Sequence, residues 1–201
     1  DLIDQPFSTK RFASQSSEPD PATYTADPDN LLVGRMNRRR LEAEPLRDAL
    51  LAVSGSLQES MGGPAFRDLS TPRRTVYLMT IRSDRSNYRM LFDAADPTAI
   101  IDQRIDSTVA PQALFLLNDP FVLDRAGGLA ARLFKQGPGD NRGRIEWLYK
   151  LLYSRPATPT EIDIGLSALD AAKSTRSTAP ESIWQQYCQV LLCANEFVYV
   201  D

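Results

Sequence analysis

The chain has 201 residues, 42% of them apolar, with 23 Lys and Arg against 26 Asp and Glu and a formal net charge of -3. That length suffices for one domain with a true hydrophobic core. The acidic balance excludes a global pull toward nucleic acid or anionic lipid, and no apolar run approaches the roughly 20 residues that a membrane span needs.

Histidine is absent. This removes the commonest general base, the usual Ser-His and Cys-His nucleophile pairs, and most zinc or haem ligation. The chain opens on "DLIDQPFSTK", without an initiating Met or a signal-peptide apolar core, which points to a piece of a longer protein. Residues 1–30 are polar and turn-rich ("SQSSEPDPATYTADPDN") and read as an extended arm or linker. Residues 31–201 read as one helical domain.

Residues 37–60 carry Leu46, Ala49, Leu50, Val53 and Leu57 on one helical stripe, which predicts a helix that starts near Glu44 or kinks at Pro45 and stops at "MGGP". "RRTVYLMTIR" at 73–82 is rich in β-branched and aromatic residues and predicts a strand, paired in a hairpin with "YRMLFD" at 88–93. Ser107 or Thr108 is the expected cap of the next helix, with Pro111 in its first turn. Asp119 and Pro120 open another, with Val122, Ala126, Leu129, Ala130 and Leu133 inward. Gly127 and Gly128 are expected to weaken it by about 1 kcal/mol each.

Asp140 caps a helix that turns Ile145, Leu148, Tyr149 and Leu152 inward. "TPTE" is a capping box, with Thr158 as cap, Pro159 first and Glu161 reaching back, and Ile162, Leu166 and Leu169 follow on one face. "TAPE" repeats the device with Thr178 and Glu181 before a last helix that presents Ile183, Tyr187, Val190, Leu191 and Ala194. The fold class is therefore mainly α: five or six helices, with a small β hairpin inserted after the first long one. Truncating the C-terminal helix is expected to unfold it.

Candidate chemistry is sparse. Cys188 and Cys193 are five apart in one helix, so their thiols diverge by about 500° of rotation and read as buried thiols. "NRRRLEAEPLR" interleaves acid and base: Arg38 with Glu42, Arg40 with Glu44, and Glu44 with Arg47 fall at helical-neighbour spacing. Residues 35–104 hold twelve Arg and no Lys against nine acids, a pattern suited to forked, specific pairing rather than a loose electrostatic patch. Arg38, Arg39, Arg40, Arg73, Arg74 and Arg104 are the candidate interface or anion-binding residues. A nucleic-acid footprint would need cations without such partners.

Asp93, Asp96, Asp102 and Asp106 form the alternative acidic site, either a glycosidase pair or a calcium site. Their spacing fits no twelve-residue calcium loop, and turns, caps and a pairing with Arg104 explain them better. Ser107 and Thr108 lack a base to activate them. Tyr88, Trp147, Tyr149 and Tyr153 offer a sugar platform or, at helical spacing, core. No catalytic residue and no metal site is identified.

Four collinear blocks carry a resemblance: "NRRRLEAEPLRDALLAVSG", "RRTVYLMTIR", "LFDAADPTAIIDQRIDSTVAPQALFLLNDPFV" and "LLCANEFVYVD". Together they resemble the planctomycete domain of unknown function 1553, or PSD-one domain, from about residue 28 onward. Pro45 and the Gly127-Gly128 pair depart from its pattern. The resemblance implies the C-terminal domain of a large exported bacterial protein, with a cytochrome-c-like haem domain upstream and sometimes a lectin-like insert. Its implied partners are the upstream domains, with carbohydrate as an alternative. Haem c would belong to an upstream domain; no cofactor is expected in this piece, where Met36, Met61, Met79 and Met90 are conceivable axial ligands. The expected role is a non-catalytic structural and interaction module; the alternative is part of a secreted glycan-degrading enzyme or carbohydrate-binding module.

Overall fold

The structure is a computed structural model that describes residues 25, 27, 28, 31, 39–81, 88–95, 102, 104, 107–175 and 179–200. It divides into two compact units, Asp1–Arg40 with Tyr199–Asp201, and Leu41–Val198. In the first unit, β1 (Arg39–Arg40) pairs antiparallel with β2 (Tyr199–Val200), Arg39 opposite Val200 and Arg40 opposite Tyr199.

The second unit is helical. Its described residues form α1 (Ala43–Val53), α2 (Tyr88–Leu91), α3 (Ala110–Asn118), α4 (Pro120–Gln136), α5 (Asn141–Tyr153), α6 (Pro159–Thr175), α7 (Pro180–Leu192) and α8 (Asn195–Val198). Six of these have nine residues or more, and two are single turns. The mainly α reading therefore holds. The β element is misplaced, however: the antiparallel pair joins Arg39–Arg40 to Tyr199–Val200, not 73–82 to 88–93.

Local chemistry sets most helix ends. Pro45 is the third residue of α1, where its missing N–H would have had no helical acceptor. α1 ends at Val53 rather than at "MGGP", because Gly55 takes a left-handed φ of 73°. Arg132 of α4 donates to the terminal carbonyls of Ala52 and Val53 at 3.1 and 3.0 Å. Asp119 caps α4 by accepting from Phe121 N (2.9 Å), and Asp140 caps α5 by accepting from Gly143 N (2.8 Å). The Thr158–Glu161 box is complete: Thr158 N donates to Glu161 Oε2 (2.7 Å) and Glu161 N to Thr158 Oγ1 (3.3 Å).

One helix start and one helix face depart from expectation. The residue before α3 is Val109, not Ser107 or Thr108, and the buried Gln112 in its first turn reaches back to the Val109 N–H. Thr178 lies outside the described residues, and Ala179 precedes α7. The buried face of α7 is Ile183, Trp184, Cys188, Leu191 and Leu192, and Val190 is 65% exposed.

The core is the seam where α4 packs along α7, the most extensive helix pair, with α3, α5 and α6 around it. Ala126, Leu129 and Leu133 of α4 and Cys188 and Leu192 of α7 are fully buried. Gly128 does more than weaken α4: a Cβ there would lie 3.3 Å from Ser54 Cβ, so its small size lets the end of α1 approach. At Gly165 of α6, a Cβ would meet Tyr187 Oη at 2.6 Å and Ile145 Cδ1 at 2.9 Å. Tyr88, Phe92 and Phe115 form a three-ring cluster with centroids 5.0–5.6 Å apart, tying α2 to α3. Tyr88 also donates to Ala43 O on α1 at 2.6 Å.

Candidate functional site

The polar centre of the molecule is Arg47, whose guanidinium is fully buried. It sits on the inward face of α1 between Leu46, Leu50 and Leu51, all at 0% exposure. Its Nε donates to Leu69 O (2.9 Å), Nη2 to Leu69 O (2.7 Å) and Thr71 O (2.5 Å), and Nη1 to Arg73 O (2.8 Å) and Thr75 Oγ1 (3.0 Å). All five N–H donors are thus used. The rings of Phe66 and Phe121 lie 5.2 and 5.7 Å from its Cζ. Burial lowers its pKa and the neighbouring Asp48 carboxylate opposes that shift, but an arginine so placed stays charged.

Asp48 completes the arrangement. It accepts from Thr75 N at 2.7 Å, Thr75 Oγ1 at 2.6 Å and Arg74 Nε at 3.3 Å, and lies 3.9 Å from Arg47 Nη1. These bonds explain why 73–82 is not a strand. The Arg73 carbonyl, which a ladder would have used, turns inward to the guanidinium, and the Thr75 N–H turns to Asp48. Thr75–Tyr77 becomes a 3-10 turn, and only single bridges survive, Gln58 with Arg73 and Phe66 with Leu78. Tyr88, held by Ala43 O and the ring cluster, starts a helical turn where the second strand was expected.

The candidate arginines occupy different places. Arg38 lies outside the described residues; Arg39 and Arg40 form β1. Arg73 donates to Pro64 O (2.6 Å) and Gly62 O and stacks 4.2 Å from the Tyr77 centroid. Arg74 meets Asp48. Arg104 donates to Glu42 Oε2 at 2.6 Å and Glu44 Oε2 at 2.8 Å, which raises its pKa, and Arg89 reaches Glu44 at 3.4 Å. The predicted Glu44–Arg47 pair is not made: Glu44 turns to Arg104 and Arg89, and Arg47 to carbonyls. Both glutamates sit at the N-terminus of α1, where negative charge is favoured by the helix dipole.

Of the four candidate acids, Asp93 and Asp102 lie among the described residues. Asp93, at a φ of 56°, accepts from Ser107 N (2.8 Å) and Ser107 Oγ (2.8 and 2.9 Å). Asp102 is exposed, and Asp96 and Asp106 lie outside the described residues. Tyr88 is only 3% exposed and offers no platform for a sugar; Tyr149 is buried, and Trp147 and Tyr153 are half-buried. Burial pushes the Cys188 thiol up to about 12, and neither cysteine is in a disulfide. Met36 lies outside the described residues, while Met61, Met79 and Met90 are 92%, 39% and 51% exposed. Among the described residues no group of three or more His, Cys, Asp or Glu is placed to hold a metal, and no helix is long and apolar enough to cross a membrane.

A second cluster lies at the α5–α6 corner. Arg155 donates to both Glu161 oxygens (2.9 and 2.6 Å) and to both Glu196 oxygens (2.5 and 2.7 Å), under the rings of Tyr149 and Tyr153. Arg155, with help from Thr158, holds the Glu161 carboxyl down at about 2. This clamp binds α8 to the start of α6.

The sequence model described as "Protein of unknown function (DUF1553)" matches residues 7–169. The chain belongs to the DUF1553 family. No curated protein and no solved structure matches it. The match ends within α6, yet α7 supplies Trp184, Cys188 and Leu192 to the core of this DUF1553 chain.

Sequence reasoning missed Arg47 as the hub and Glu196 as the clamp's second acid. A signal existed for the first: Arg47 is the one cation set inside the apolar stripe of α1, four residues after Ala43 and four before Leu51. None existed for Glu196, which lies 41 residues from its partner.

Proposed function

We propose that this chain is a non-catalytic structural and interaction module that packs against neighbouring parts of a larger, exported, haem-associated bacterial protein. Export and the haem association rest on the family resemblance. The observation that carries the interaction role is α3. Its nine residues, "APQALFLLN", contain no charge, and the helix is apolar on nearly every face. Gln112 and Leu116 face inward, while Leu114 and Leu117 are 57% and 50% exposed. A helix apolar all round belongs in an interior, so its outward face is suited to cover by another surface.

Val190 of α7, 65% exposed, lies in the same helical sector as Gln189 and Cys193, which donate to Leu117 O (2.7 Å) and Leu116 O (3.3 Å). Asn118 donates to Leu114 O (3.0 Å), so Asn118 and Gln189, both neutral, bond the backbone of α3 beside its apolar face. The arginine-rich block is less suited to docking than α3, because Arg73, Arg74, Arg89 and Arg104 already donate within this chain.

Carbene footprinting tests the reading. Leu114 and Leu117 should label strongly in this chain alone and at least threefold less in the full-length polypeptide. Equal labelling in both would sink it.

A further inference from the structure

We propose that residues 58–80 form a latched strap, a segment that opens and closes on α1 as one unit while the helical bundle stays folded, with the Arg47 guanidinium as its latch. The proposal stands on how the strap is held, independently of the interaction role above.

The strap buries little. From Gln58 to Thr80, all of them described, Thr75 alone is buried; Phe66, Leu69, Tyr77 and Leu78 are half-covered. Apolar burial on that scale does not offset the conformational entropy of ordering so long a segment. Polar bonds must hold it, and they fall into two sets. One set is internal: Gln58 N to Pro72 O (2.6 Å), Phe66 N to Tyr77 O (3.1 Å), Met79 N to Phe66 O (2.7 Å), Gly62 N to Tyr77 Oη (2.7 Å), and Arg73 to Pro64 O and Gly62 O. These fold the strap back on itself, so its halves move together.

The other set joins it to the helices. Among the described residues, every hydrogen bond that leaves the strap ends on Arg47 or Asp48. The accepting carbonyls, Leu69, Thr71 and Arg73, alternate along the chain. Residues 69–72 are turn and bend, held by Thr71 N to Asp68 O (3.1 Å) and Ser70 N to Asp68 Oδ1 (2.9 Å), and this curl lets a single planar fork collect all three carbonyls. Losing the fork therefore releases the whole run at once. The open form would present Arg47 and Asp48 side by side on α1, donors and an acceptor for backbone carbonyls and an N–H.

Native-state hydrogen exchange on the intact chain in sub-denaturing urea tests this. The bonded amides of Gln58, Phe66, Thr75, Tyr77 and Met79 should exchange together, at least tenfold faster than those of α4 and α7, and with a weaker urea dependence. Exchange of strap and bundle amides with one common urea dependence would overturn the proposal, as would scattered strap rates. Thr75→Val keeps Arg47 but removes an acceptor and the hydroxyl's bond to Asp48, leaving the backbone N–H on Asp48. It should speed strap exchange about tenfold and leave α4 and α7 unchanged. Unchanged strap exchange, or equal losses in the bundle, would remove Arg47 from the role of latch.

Discussion

The α4–α7 seam and the strap across α1 are held by opposite chemistry. Along the seam, Leu129, Leu133, Cys188 and Leu192 are removed from water completely, and each large apolar side chain contributes roughly 1.5–3 kcal/mol. In the strap, most residues remain wet and a single cation collects backbone carbonyls. Apolar burial is non-directional, so a helix can rotate to maximise it. A guanidinium fork is directional, so it fixes the path of a segment with no regular structure of its own. The two halves should therefore fail differently.

The largest effect is expected in the seam. Leu129→Ala leaves a cavity at a fully buried site and should cost about 3 kcal/mol, read as a lower urea midpoint with an unchanged slope. A cost below about 1 kcal/mol would mean that the seam is loosely packed. Gly165→Ala forces a methyl toward Tyr187 Oη and Ile145 Cδ1 and should cost about 2 kcal/mol by overpacking. Adding Tyr187→Phe removes the nearest atom and should return part of that loss. Additive losses in the pair would show that the contact is not the cause.

The α4 side of the seam was legible in the sequence and the strap was not, for reasons visible in single residues. Asp119, Asp140 and the Thr158–Glu161 box mark helix starts through bonds spanning two or three residues, and such signals survive any tertiary context. The stripe of α4 places Val122, Ala126, Leu129, Ala130 and Leu133 inward as the spacing predicts. The face of α7 was misjudged because Trp184, Cys188 and Leu192 form a second apolar row beside the one through Tyr187 and Val190. Packing on α4 chose between the rows.

Residues 73–82 have strand composition, but composition describes half-buried extended backbone and not its partner. The partner here is a side chain more than 20 residues away in sequence. At the candidate site, the pairing of arginine with acid was legible as a tendency. Which acid was not, because Arg104 meets Glu42 and Glu44 across 62 and 60 residues.

The α5–α6 corner combines the two chemistries and gives a smaller, pH-dependent effect. The Glu161 carboxyl titrates at about 2 in the folded chain against 4.5 ordinarily. Its folded value is depressed, so its contribution is fully present above pH 4.5 and is lost as pH falls toward 2. Because the pair is partly exposed, solvent screening brings the net contribution at neutral pH to about 1 kcal/mol. Glu161→Gln should lower stability by about that amount at pH 7 and flatten the stability loss between pH 5 and 2 that the parent shows in urea titrations. A variant that kept the parent's acid dependence would assign that dependence to other carboxylates.

The smallest effect should come from the strap's own apolar residues, which separates the two regions most cleanly. Val76 is 73% exposed and sits on the 3-10 turn one residue after Thr75, the pivot between Arg47 and Asp48. A residue this exposed has little burial to lose on Val76→Thr. Held by a guanidinium, the strap should not register the change: global stability should shift by less than about 0.5 kcal/mol in urea unfolding, the scale of ordinary surface substitutions. Strap amide exchange should also stay at the parent's rate. A loss above about 1 kcal/mol would place apolar contact, rather than the carbonyl–guanidinium bonds, at the root of the strap's order.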